Sequence, residues 1–84
     1  MPRKTRTDYF PEIAVVIRYS TKRTHGFIEC SIAFFNERFK KFQRLMRGVK
    51  FNEIYVFNRE TNIVYKYFDD LSDVPDYYLK EICK

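Results

Sequence analysis

Between Ile13 and Tyr19 the segment IAVVIRY sets Ile13, Val15, Ile17 and Tyr19 on alternate positions. Successive side chains of a strand point to opposite faces, so these four share a side, and their β-branched content suits a strand with that side buried. STKRTHG then supplies turn formers and ends in Gly26, after which FIECSIAFF alternates again with Ile28, Cys30, Ile32 and Phe34 facing one way. The pattern predicts a hairpin.

Next the period lengthens. Phe35, Phe39, Phe42 and Met46 stand at i, i+4, i+7 and i+11, which on a helix of about 3.6 residues per turn is one narrow stripe. Asn36 is the expected N-cap, and Gly48 stands where a left-handed C-cap is needed. EIYVFNRETNIVYKYF reads as a second hairpin around NRETN. An odd loop would place Tyr55 and Phe57 on a face with Ile63, Tyr65 and Tyr67; an even one would place them with Val64, Lys66 and Phe68. Both registers fit the pattern.

The closing stretch DDLSDVPDYYLKEICK has Ser72 or Asp73 as a cap and Pro75 in a first turn, where its missing N–H is harmless. It predicts a short helix with Tyr78, Leu79, Ile82 and Cys83 on one flank. The expected order is ββαββα: an α+β domain, its sheet mainly antiparallel with the helices packed on one face. Residues 1–10 read as a flexible basic arm and residues 11–84 as the domain. The string VYKYFDDLSDVPDYYLKEI resembles the tail of the KTSC domain, an aromatic strand followed by a short helix. It spans residues 64–82, under a quarter of the 84, and carries no residue role across.

Length limits this chain to a single core, since a domain of 84 residues buries roughly 60–65% of the surface its unfolded form exposes. With 45% hydrophobic residues and sixteen aromatics (nine Phe, seven Tyr), it has the apolar material to offset its ordering entropy. Cys30 and Cys83 are too few and too far apart for a disulfide framework, which points to a reducing compartment, the cytoplasm. The apolar run Ile13 to Ile17 is too short for a signal sequence or a membrane span.

Charge sharpens the picture. Residues 1–50 hold twelve Lys/Arg against four Asp/Glu, or +8, and residues 51–84 hold four against seven, or −3, which together give the net +5. NERFKKFQRLMRG, residues 36–48, concentrates five of the cations with Glu37 as its only acid. On a helical projection Lys40, Arg44 and Arg47 lie opposite the phenylalanine stripe, with Arg38 and Lys41 toward one flank. Any amphipathic surface helix turns a polar side outward, and Lys and Arg are good helix formers. A merely solvated face, however, commonly pairs its cations at i, i+4, and this one lacks the acids to do so.

The candidate phosphate contacts are therefore Lys40, Lys41, Arg44 and Arg47 on the helix, Arg18, Lys22 and Arg23 in the first hairpin, Lys50 after the helix, and Arg3, Lys4 and Arg6 in the arm. Arginine matches phosphate with a planar fork, and tyrosines on an exposed sheet can stack on unpaired bases. Cross-strand aromatic pairs also stabilise sheets without any ligand, so no single tyrosine is assigned to stacking.

Catalytic and cofactor motifs are missing. His25 is the sole histidine; it lies in a turn and reads as a solvated residue, with a basic RNase as an outlying reading. Cys30, Cys83 and His25 have no zinc-type spacing, and DDLSDVPD lacks the glycine of a calcium loop. Two glycines, Gly26 and Gly48, exclude a glycine-rich phosphate loop. The leading expectation is a small non-enzymatic nucleic-acid-binding protein without cofactor. The alternative is a compact inhibitor or adaptor of viral or mobile-element type that uses the basic face or the aromatic hairpin against an acidic protein surface. An open hairpin edge leaves room for a homodimer.

Overall fold

The computed structural model describes residues 11–82. Its elements are β1 (Ile13–Ser20), β2 (His25–Ser31), α1 (Ile32–Glu37), α2 (Phe39–Leu45), β3 (Lys50–Asn58), β4 (Val64–Phe68), α3 (Asp73–Tyr77) and a closing π-helical turn (Tyr78–Ile82). The strands form one four-stranded antiparallel sheet in the order β2-β1-β3-β4. This is the α+β architecture that the alternating and helical periods imply, with the central helix divided in two.

β1 is the centre of the sheet. Ile13 through Ile17 are all buried, on both parities. Ile13, Val15 and Ile17 join Ile54 and Val56 of β3 and Phe68 of β4 beneath Ile32, Ala33, Phe35, Met46, Leu71, Val74 and Tyr78. All the described helices therefore lie on that one face. Tyr19 extends the same face as expected, and Gly26 has no side chain because the Tyr19 ring occupies its place: a Cβ there would sit 2.7 Å from the Tyr19 hydroxyl.

The second strand is shorter than its alternation suggests. It stops at Ser31, whose Oγ accepts a hydrogen bond from the Phe34 backbone N–H at 3.2 Å, so Ser31 and not Asn36 caps the helix. Ile32 and Phe34, expected to continue the strand, lie in α1. The reason is packing: Ile32, Phe35 and Phe39 stand at i, i+3 and i+7 and satisfy a helical stripe as well as Ile28, Cys30 and Ile32 satisfy an alternating one. Both Ile32 and Phe35 end fully buried.

Arg38, with φ −108° and ψ 24°, separates α1 from α2. Residues seven apart in a straight helix are about 10 Å apart along its axis. The break, with the lean of the side chains, brings the Phe35 and Phe42 rings to 5.1 Å between centroids, stacked, while Phe39 meets Phe35 edge-on at 5.7 Å. Gly48, at φ +77°, ends the segment in the left-handed region.

Phe57 pairs with Val64 but Tyr55 with Tyr67, so a register shift between Val56 and Phe57 sets Tyr55 and Tyr67 on the face that an odd loop alone would give. The turn itself closes with the Asn58 N–H on the Ile63 carbonyl at 2.9 Å. Asn58 organises it: its Oδ1 accepts from the N–H groups of Glu60 and Thr61, and Asn62 takes φ +61°. At the last helix the pattern offers Ser72 or Asp73 as the cap, and the N-cap position falls to Ser72. Ser72 makes no capping bond; the Asp70 carboxylate instead accepts from the Ser72 N–H at 3.0 Å. Leu79, expected on the buried flank with Tyr78, is 59% exposed on the π-helical turn. Cys83 lies outside the described residues.

Phe35→Ala is expected to lower the unfolding free energy in urea by about 3–5 kcal/mol, and Gly48→Ala by about 1–2 kcal/mol through its left-handed backbone. An unchanged midpoint for Phe35→Ala would remove it from the centre of the core.

Candidate nucleic-acid interface

Because Phe35, Phe39, Phe42 and Met46 turn toward the sheet, the other side of the helical segment must face outward. Arg38, Lys40, Lys41, Arg44 and Arg47 are all exposed. Among the described residues the ion pairs are Arg18–Glu53 at 3.4 Å and Arg59–Glu29 at 3.1 Å, both on the sheet. None of the five helix cations takes part in one. Arg38 instead lays its guanidinium over the Phe34 ring, 4.6 Å from the centroid.

Two shallow grooves border this surface. One runs along Asn36, Glu37, Arg38, Lys40, Lys41 and Pro75. In the other, Lys40, Arg44 and Arg47 surround Phe51, Leu71 and a single acid, Asp70. That carboxylate is engaged by the Ser72 N–H. Three cations against one acid leave the groove positive.

The tip of the first hairpin extends the positive surface at one end of the sheet. Thr21 and Thr24 close the turn, with the Thr21 Oγ1 accepting from the N–H groups of Arg23 and Thr24, and Lys22 and Arg23 are exposed on it. Lys50 lies opposite Ser20, the last residue before the turn. Only Gly48 and Val49 separate it from Arg47, so the end of the helical segment and the hairpin tip meet at the same end of the sheet. Asn52 donates to the Ser20 Oγ at 2.7 Å, and Ser20 lies 2.9 Å from the His25 Nδ1.

Arg18 stands apart from this group. Its neighbours in register are Phe27 and Glu53, on the face of the sheet away from the helices, and its charge is engaged by Glu53. Arg3, Lys4 and Arg6 lie outside the described residues.

That face, over which no described helix lies, carries what the hydrophobic pattern left open. The register places Tyr55 and Phe57 beside Val16 and Ala14 of β1, with Tyr67 opposite Tyr55 on β4 and Phe27 on β2. Tyr55 meets Tyr67 at 5.5 Å and Phe57 at 5.8 Å, and the Tyr65 hydroxyl accepts from the Asn58 amide at 3.1 Å. The available sequence signal was apolar character on both parities, in IAVVI of β1 and in Ile54–Phe57 of β3.

No protein-family model, curated protein or solved structure matches the chain. What the surface can do rests on its own geometry. No described helix is long and apolar enough to cross a membrane.

Among the nucleophilic side chains, Cys30 is a half-buried free thiol. Burial pushes its thiol up from 9.0 to about 11, with Arg59 opposing and Glu29 assisting, and a thiol reacts as its thiolate. At pH 9, where an ordinary thiol is substantially ionised, Cys30 stays mostly protonated. In a Cys83→Ser variant, alkylation by iodoacetamide at pH 9 is expected to run some tens of times slower in the folded protein than in urea, and to accelerate as pH rises toward 11. Equal rates would mean that the thiol is not desolvated.

Proposed function

We propose that this protein is a non-enzymatic nucleic-acid-binding domain that holds phosphates on the outer side of its helical segment and on the tip of its first hairpin. The observation that carries this reading is the division of the cations into two kinds. Arg18 and Arg59 are spent on Glu53 and Glu29, whereas Lys40, Lys41, Arg44 and Arg47 are exposed and make no ion pair with any described acid. Crowding like charges along one helix costs free energy. A polyanion that neutralises them recovers that cost and releases its own counterions.

Phosphate recognition fits the side chains present. Arg44 and Arg47 offer planar forks, Lys40, Lys41 and Lys50 offer mobile point charges, and no sequence-reading device is needed for such contacts. A non-enzymatic role agrees with an exposed His25 partnered by Ser20 and a Cys30 thiol that stays protonated at neutral pH.

Fluorescence anisotropy of labelled oligonucleotides against salt tests the reading. Affinity is expected to fall steeply as salt rises, with a log–log slope of about −0.7 to −0.9 per phosphate contacted. The triple variant Lys40→Glu, Arg44→Glu, Arg47→Glu is expected to flatten that slope by about two to three units while leaving the thermal midpoint near that of the parent, because these side chains face away from the core. Unchanged affinity in the triple variant would move the interface elsewhere, and no binding to any oligonucleotide at low salt would end the reading.

A further inference from the structure

The phosphate-binding surface and the aromatic face lie on opposite sides of the sheet, and phosphate contacts alone leave the second unexplained. Phe27 is 63% exposed and Tyr67 59%. Apolar surface left in water forgoes the stabilisation that burial would bring, and isolated exposed rings need no account. Here the rings are not isolated: Tyr67, Tyr55 and Phe57 run in unbroken contact across two strands, with Phe27 on the far strand. The exposed aliphatic residues Leu45 and Leu79 belong to helical elements on the other side, while Ile63 and Val64 border the strip at the second turn.

We propose that this face is a stacking platform for the unpaired bases of a single-stranded nucleic acid, an inference that rests on the nucleic-acid reading above and specifies its ligand. Every base has an apolar π-face that an exposed ring can cover, and such stacking is sequence-tolerant. A duplex hides those faces within its own stack, so a flat strip of rings discriminates against it.

Charge guides the path of such an occupant. Glu29 and Glu53 are each held by an arginine, Arg59 and Arg18, whereas Tyr67 borders a groove that Asp69, Asp73, Asp76 and Glu81 share with Lys66 and Lys80, so the route open to phosphates leads away from the β4 edge, toward β1 and β2. Arg18 also lies over the Phe27 ring, 5.9 Å from its centroid, which fixes a guanidinium at the rim. Beyond it, in the direction of Ser20, the sheet ends at Lys22, Arg23 and Lys50. A strand laid along the rings thus meets cations at that end, and there it can pass round to the helical side.

The test compares three labelled probes of about fifteen nucleotides, within the span a small single-strand-binding domain covers: oligothymidylate, an abasic sugar–phosphate strand and a duplex. The expected result is binding of oligothymidylate at least about ten-fold tighter than of the other two, with quenching of intrinsic tyrosine fluorescence, which is unobscured because the chain has seven tyrosines and no tryptophan. Tyr67→Leu and Phe27→Leu keep apolar bulk at exposed positions but remove the ring. Each is expected to weaken oligothymidylate binding by about five-fold or more and to leave the abasic strand unaffected, with circular dichroism unchanged.

Equal affinity for oligothymidylate and the abasic strand, or full oligothymidylate affinity in both leucine variants, would overturn the platform while leaving phosphate binding intact. Failure of all three probes to bind would remove both readings together. A dimer in sedimentation equilibrium that Tyr67→Leu dissociates would assign the face to a second copy and overturn the proposal.

Discussion

The double burial of β1 is the constraint from which the rest follows. A central strand with both parities apolar has to be covered on both sides, and a chain this short has one set of helices to do it. Phe35, Met46, Val74 and Tyr78 cover the side of Ile13, Val15 and Ile17. On the other side the register sets the large side chains of β3 beside Ala14 and Val16, with those of β4 next to them. One side of the sheet is thus a core of conventional kind, and the other is floored by small residues and flanked by rings.

This asymmetry also sorts the charges. Cations on the strands have carboxylates across from them at fixed strand spacing, as Arg18 has Glu53. Cations on the helical segment have no strand beside them, and within four residues along the segment they find only Glu37. Exposed pairs such as Arg18–Glu53 contribute little to stability, about 0–1 kcal/mol, so their main effect is to lower the charge of the face on which they lie. The unpaired cations are left to α2, its C-terminal end and the hairpin tip, while Asp73, Asp76 and Glu81 mark the closing helical elements of the same side.

Much of the fold was legible because its periods are strong. Ile13, Val15 and Ile17 announce β1, Phe35, Phe39, Phe42 and Met46 announce the helical stripe, and Gly48 marks where that stripe ends. The helix start was not legible, because Ile32 fits both an alternating and a helical period, and Ser31 caps without an acidic or amide partner three residues on, where Phe34 stands. The exposed cations of α2 could be read from their spacing. The isolation of Arg18 could not, since its partner Glu53 is distant in sequence and is brought near only by the β1–β3 pairing. The aromatic face stayed hidden for a related reason: whether Tyr67 turns toward the helices or away depends on the turn and on a register shift between Val56 and Phe57, and hydrophobic pattern carries no information about either.

The register shift between Val56 and Phe57 gives the second hairpin a parity on which both sides of the molecule depend. Strand side chains repeat every second residue, so deleting the one residue that β4 carries in excess there would rotate the rest of that strand by half a period, drive the Tyr67 phenol against the helices and pull Phe68 from the interior. The left-handed backbone of Asn62 and the two N–H groups gathered by Asn58 reverse the chain direction. The extra residue beyond them acts as the ratchet that keeps oily and aqueous sides of the last strand from trading places.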